Sequence, residues 1–130
     1  MTSAESAVRA RAFDLLARDE ALAGIVHGVF DGAPPRASAP FVTVGGVEGR
    51  DWGTKDRAGR EVRVTLVLAG VGGTVDDSAA DRIERVVATM RGRAGGWTIV
   101  SARTIRTRLG FAREGGWRHE MIVQCRCLEA

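Results

Sequence analysis

The chain has only two histidines, His27 and His119, which lie far apart in the sequence, and two cysteines, Cys125 and Cys127. A nucleophile needs a base beside it, and a metal site needs several converging ligands. His27 lies in a glycine-flanked segment, and His119 stands between charged residues of a predicted strand, with no accompanying catalytic motif. We therefore expect both histidines to be structural or solvent-facing, and we expect no catalytic residue, no metal site and no cofactor.

The two cysteines stand two residues apart near the end of a predicted strand, so their side chains point to the same face. That placement disfavours a disulfide between them, and free cysteine is among the most buried residue types. We expect Cys125 and Cys127 to be buried, reduced thiols.

A glycine cluster, formed by Gly70, Gly72 and Gly73, separates a predicted strand from a predicted helix, which is where phosphate-binding loops occur. The Gly-Lys-Ser/Thr ending of such loops is missing here, and so is the dinucleotide-binding spacing. Asp76 and Asp77 at the start of the helix would also repel a phosphate. We interpret the cluster as a strand-to-helix turn.

All basic residues except Lys55 are arginines, and the formal net charge is +3. Regular strand alternation predicts that Arg106 and Arg108 share one face and that Arg103 lies on the other, so no single basic stripe is expected. Interleaved aromatic residues that could stack on bases are also missing. We therefore favour solvated or intersubunit salt-bridging roles over a specific nucleic-acid site.

The elements that position these residues follow from hydrophobic periodicity. Thr2 and Glu5 form a capping-box pattern at the start of a first helix, and Asp19 can cap a second, short helical turn. Apolar residues at helical spacing predict an amphipathic helix over about 75–91. Period-two alternation and β-branched runs predict strands at 26–30, 41–47, 60–69, 97–109 and 117–128. The polar stretch 48–59 is predicted to be a solvent-facing loop.

These elements predict an α+β fold in which two helices pack on one face of a four- to five-stranded, mainly antiparallel sheet with a long C-terminal hairpin. With 45% hydrophobic and 27% charged residues, the 130-residue chain is too apolar for a disordered tail and too charged for a membrane protein. We expect a single domain spanning residues 1–130. The N-terminus does not resemble a signal sequence, so we expect a cytoplasmic protein without a membrane partner.

Trp52 stands out because it lies in the charged stretch 48–59, where nothing local can bury it. Tryptophan and arginine are enriched at the energetic centres of protein interfaces. Two interpretations stay open: Trp52 contacts a partner, or the loop folds back and tucks it onto its own domain. The long strands of the final hairpin also expose edges that another subunit could cover.

Several stretches together resemble the phage tail completion, or tail terminator, family, and especially the terminators of alphaproteobacterial gene transfer agents. They are the acidic step into a helical turn at 19–23, the double proline Pro34 and Pro35 before the strand segment 40–44, the run Asp-Trp-Gly-Thr-Lys at 51–55 with Gly59 and Glu61 after it, and the C-terminal hairpin. The resemblance covers nearly the whole chain and brings no catalytic residue with it.

The resemblance implies a structural virion protein rather than an enzyme. It implies a hexameric ring at the head–tail junction, made in the bacterial cytoplasm, that terminates the tail tube and joins the tail to a head connector or stopper protein. DNA would pass through the channel without sequence-specific binding. As candidate interface residues for contact with a subunit or partner we take Arg50, Asp51, Trp52, Thr54 and Lys55. The alternatives are a tail tube or minor tail protein, and a small enzyme or ligand-binding module using Arg103, His119 and Glu120.

Overall fold

The computed structural model describes residues 2–34, 36–113 and 115–130, so Pro35 of the double proline lies outside the described residues. The elements in chain order are α1 (Ala4–Ala17), α2 (Glu20–Ala23), β1 (Val29–Asp31), β2 (Phe41–Asp51), β3 (Gly59–Gly70), α3 (Asp77–Val87), β4 (Gly92–Ala94), β5 (Trp97–Phe111) and β6 (Trp117–Glu129). None of the helices in these ranges is long and apolar enough to cross a membrane.

The strands form one six-stranded sheet in the order β1-β2-β3-β6-β5-β4. All neighbouring strands are antiparallel except β1 and β2, which are parallel. The mixed α/β architecture is confirmed, but the predicted four to five strands are too few. The missed strand is the three-residue β4 at the sheet edge, whose glycine-containing sequence indicates only the end of a helix. Strands this short carry no periodicity to detect.

Both predicted helices and the short helical turn are present, with shifted starts. Ser3 rather than Thr2 caps α1, since its hydroxyl accepts from the N–H of Ser6. Asp19 caps α2 as expected, and its carboxylate also binds the guanidinium of Arg82 on α3 at 2.6 and 2.7 Å. These hydrogen bonds hold the pKa of Asp19 below its ordinary value, although burial works in the opposite direction. The carboxylate therefore fastens the two helical segments together.

The core lies between the helices and one face of the sheet, here called the helix face. Alternate residues of the central strands β3 and β6 point into it, and these side chains are inaccessible or nearly so: Val62, Val64, Leu66, Leu68, Met121, Val123, Cys125 and Cys127. From the other side, α1 contributes Val8 and Leu16, and α3 contributes Ile83 and Val87. The opposite face, here called the open face, has no helix on it in the described part of the chain.

A β-bulge in β2 changes the prediction for 48–59. The register shifts by one residue between Val44 and Val47, and the strand then continues to Asp51. Arg9 of α1 donates to the carbonyls of Val44 and Gly45 at the bulge, at 3.1 and 2.9 Å. The loop is therefore only 52–58, and the prediction was wrong for 48–51 and for Gly59, which begins β3. Cross-strand charge pairing replaces apolar alternation there, so periodicity gives no strand signal.

β-Bulges in β5 contradict the prediction about the hairpin arginines. β5 contains extra residues between Ile99 and Ser101 and between Thr104 and Arg106. The second bulge reverses the alternation after Thr104, because one residue is added to β5 only. Arg103, Arg106 and Arg108 consequently pair with Gln124, Ile122 and Glu120, which all lie on the open face. The expectation that these arginines lie on different faces was wrong.

Candidate interface

The five candidate interface residues lie together at one end of the sheet. Arg50 and Asp51 are the last residues of β2, and Trp52, Thr54 and Lys55 belong to the loop that leads into β3. Four of these side chains are exposed, whereas Trp52 is half-buried. The group therefore presents a mostly polar surface with one large apolar ring partly accessible within it.

Backbone hydrogen bonds close the loop into a defined shape. The N–H of Trp52 donates to the carbonyl of Gly59 at 3.0 Å, and the N–H of Thr54 donates to the carbonyl of Arg57 at 2.9 Å. The carboxylate of Asp51 accepts from the N–H of Gly53 at 3.3 Å. The loop thus continues the hairpin with paired backbone groups.

The loop is also fastened to the end of β6. The guanidinium of Arg57 donates twice to the carbonyl of Glu129, at 3.1 and 2.7 Å. In return, the N–H of Glu129 donates to the carbonyl of Ala58 at 3.0 Å. These contacts hold the loop against a neighbouring strand, which lowers the entropy that it would lose on binding a partner.

A buried carboxylate supports the loop from the open face. Glu61 is only 4% exposed, and it binds Arg50 at 2.8 Å and Arg126 at 3.2 Å. Burial alone would raise the pKa of Glu61, but the hydrogen bonds and positive charges of Arg126 and Arg50 outweigh it and lower that pKa. A carboxylate held between two guanidinium groups positions both arginines.

The indole of Trp52 is covered by this network. The guanidinium carbon of Arg126 lies 5.5 Å from the centroid of the indole ring, a cation–π distance. The ring is therefore partly tucked onto its own sheet, yet it does not belong to the core. Sequence reasoning missed Glu61 and Arg126 as its supports. The only signal was a charged residue at the start of an otherwise apolar, alternating strand.

The residues considered for chemistry are not brought together. On β6, His119 points to the helix face and Glu120 to the open face, while Arg103 pairs with Gln124, further along the strand. The Nδ1 atom of His27 lies 3.0 Å from the carbonyl of Ser38. Within the described residues, no group of three histidine, cysteine, aspartate or glutamate side chains could hold a metal ion.

The cysteines are buried and reduced, as expected. Burial raises the pKa of Cys125 to about 12, with a further contribution from the neighbouring thiol. Burial likewise raises the pKa of Cys127 to about 11, with a contribution from Glu5. Neither thiol is a nucleophile at neutral pH, since the thiolate is the reactive form.

Comparison with known proteins identifies the family to which the chain belongs. The profile of the family "Tail completion protein gp17" matches residues 10–129. The chain belongs to this family. The resemblance found in the sequence is thus confirmed, and the chain is a structural tail protein.

A solved structure has the same fold as this tail completion protein. A chain from "Virion of native gene transfer agent (GTA) particle" superimposes with a TM-score of 0.85, covering 98% of this chain and 99% of that chain at 18% identity. At this identity the likeness shows a shared fold. No curated protein sequence matches the chain significantly.

The tail completion protein has a second accessible surface at the opposite end of the sheet. The last residues of β5, 106–111, are all exposed, because β4 pairs only with residues 97–99 and this part of β5 forms the edge of the sheet. The hairpin does not extend past the core, since Trp117, which pairs with Phe111, is buried in the core. Leu109 and Phe111 on this edge segment are 43% and 66% exposed, and the nearby Val71, directly after β3, is 65% exposed. Exposed large apolar residues grouped in this way are typical of protein contact sites.

Proposed function

We propose that this tail completion protein forms a hexameric ring that terminates the tail tube and joins the tail to the head connector of a phage or gene transfer agent particle. The match of the family profile over residues 10–129 is the observation that carries the proposal. The function is mechanical, since the protein supplies a joint between two larger assemblies. We further propose that the chain acts as a single domain, because its buried residues form one cluster.

The positions of the two accessible surfaces support a ring. β3 spans twelve residues between them, which separates them by roughly 36 Å. The first carries Trp52 among charged groups, and the second carries Leu109, Phe111 and Val71. Because the two surfaces are unlike, contacts between neighbouring subunits can be head-to-tail, and such contacts close into a ring when the rotation per subunit divides a full turn.

In this proposal, Trp52 is the anchor of a contact with a neighbouring subunit or with a partner ring. Arg50, Asp51, Thr54 and Lys55 surround the anchor as a polar rim, in the arrangement that stable interfaces adopt. The partners are the tail tube protein on one side and a head connector or stopper protein on the other. DNA passes through the channel without being read.

Deleting the gene tests this function. Electron micrographs of the deletion strain should show separate heads and tails, or tails of abnormal length, and the wild-type gene supplied in trans should restore joined particles. Joined particles from the deletion strain, competent for infection or gene transfer, would refute a role in joining or termination.

A further inference from the structure

The open face of the sheet carries a strong excess of positive charge. Strand register places eight arginines on it: Arg50, Arg63, Arg93, Arg103, Arg106, Arg108, Arg118 and Arg126. The same pairings place three glutamates there, Glu48, Glu61 and Glu120. The excess is concentrated on this face, because the whole chain has a formal net charge of only +3.

The arginines differ in what they contact. Arg50 and Arg126 are held by Glu61, as described above. Arg93 on β4 is exposed and makes no ion pair within the described part of the chain, and the same holds for four arginines of the final hairpin: Arg103, Arg106, Arg108 and Arg118. Glu120 lies opposite Arg108 without forming an ion pair with it. These four guanidinium groups are available to an external anion.

The β-bulge at Ile105 places the arginines of β5 on the same face of the sheet. Without the extra residue, Arg106 and Arg108 would point to the helix face while Arg103 pointed to the open face. With it, three arginines follow one another along a single strand face, and Arg106 and Arg108 stand about 6.6 Å apart. Arg118 on β6 extends the row at the end of the hairpin.

Away from the Trp52 loop, the open face also lacks the large apolar anchors that a stable protein contact would need. Its central apolar residues, Val67 and Ile122, are half-buried rather than exposed. The exposed Leu109 and Phe111 lie on the helix face of the hairpin, in register with His119 and Trp117. A protein interface is organised around large apolar anchors, whereas a phosphate backbone requires only positive charge and hydrogen-bond donors.

We propose that the open face binds the phosphate backbone of double-stranded DNA, with Arg103, Arg106, Arg108 and Arg118 as phosphate contacts. Arginine suits this role because its planar group can donate two hydrogen bonds to one phosphate. The binding is independent of sequence, since no groove-reading element accompanies the arginines. In the assembled particle this face lines the path of the DNA, a step that rests on the proposed ring.

The test compares two triple variants that each lower the formal charge by three. The test variant is Arg103→Gln, Arg106→Gln and Arg108→Gln on the open face. The control variant is Arg18→Gln, Arg85→Gln and Arg91→Gln, which are exposed and lie on the helical side of the protein. Fluorescence anisotropy measures binding to labelled duplexes of about 30 base pairs, in two unrelated sequences, over about 50 to 200 mM NaCl.

We expect the test variant to bind about tenfold or more weakly, with a salt slope reduced by about 2.7 for three lost phosphate contacts. Wild type and the control variant should bind more tightly and should not distinguish the two sequences. Replacing the same three arginines by lysine should restore most of the affinity. Equal weakening in both glutamine variants, or none in the test variant, would overturn the proposal.

Experiments with assembled particles distinguish the DNA-binding proposal from the proposed function in head–tail joining. The test variant, supplied to the deletion strain, should give joined particles that deliver less DNA than wild type. Heads and tails that fail to join with this variant would instead mean that the arginines contact a protein, which would overturn the DNA proposal. Normal joining in the deletion strain itself would refute the ring function and leave the duplex-binding result standing.

Discussion

Replacing Trp52 by alanine is the most informative single change. The structure gives the expected loss of folding stability, which can then be separated from the loss of binding affinity. A fully covered tryptophan buries about 200 Å². At least about two-thirds of Trp52 is covered, so at about 25 cal/mol per Å² its present burial stabilises the fold by about 3–4 kcal/mol. The Arg126 contact at 5.5 Å adds about 0.5 kcal/mol. We expect the free energy of unfolding to fall by about 4 kcal/mol.

The accessible part of the Trp52 ring determines how much binding free energy a partner could gain by covering it. Covering it with a partner surface is worth up to about 2 kcal/mol, which is a factor of about 30 in the dissociation constant of that contact. Leu15→Ala is the matched control, because Leu15 is also half-buried and lies in the second half of α1, away from the loop. That substitution lowers stability by about 2 kcal/mol without touching the proposed contact.

Urea denaturation measures the stability of both variants, and co-sedimentation with tails purified from the deletion strain measures their binding. Trp52→Ala should bind tails about 30-fold more weakly than Leu15→Ala at temperatures where both are folded. Equal binding by the two variants would refute the idea that Trp52 anchors a contact. A stability loss far above 4 kcal/mol would show that Trp52 is part of the core after all.

Three further predictions concern the fold. A Cβ at Gly70 would overlap the indole of Trp117, so Gly70→Ala should lower the free energy of unfolding by about 1–3 kcal/mol in urea titrations, whereas Gly46→Ala, where a Cβ has open space, should change it little. The pKa of Glu61 is lower in the folded protein than its ordinary 4.5, so its stabilising contribution is present above that pH and is lost as the pH falls through the folded pKa. Wild-type stability should therefore drop more steeply below pH 4.5 than that of Glu61→Gln, and parallel urea midpoints for the two proteins would contradict this. Because burial raises the pKa values of Cys125 and Cys127, a thiol reagent at neutral pH should label them only at the rate of unfolding, and rapid labelling of folded protein would contradict their burial.

Periodicity in the sequence predicted the long, half-buried elements well. α3 and the strands β3 and β6 each repeat apolar residues at one fixed spacing, because one side of each lies against the core. The overall α/β architecture and the long hairpin followed from these elements. The strands at the two edges of the sheet were harder to predict from the sequence. β4 has three residues, and β1 pairs in parallel through a long connection that sequence spacing does not indicate.

Bulges account for the remaining errors. One extra residue reverses which face every later side chain occupies, and Ile105 does not mark its bulge by residue type, whereas the glycine pair Gly45–Gly46 is a residue type often found at bulges. The loop position of Trp52 was predictable, since its surroundings are polar. Its contact with Arg126 was not, because that contact joins residues far apart in sequence through the pairing of β3 with β6.

The most direct test of the central claim is the position and copy number of this chain in purified particles, determined by cryo-electron microscopy. Six copies should form one ring between the last ring of the tail tube and the head connector. Copies distributed along the tube, or particles that contain none, would contradict it.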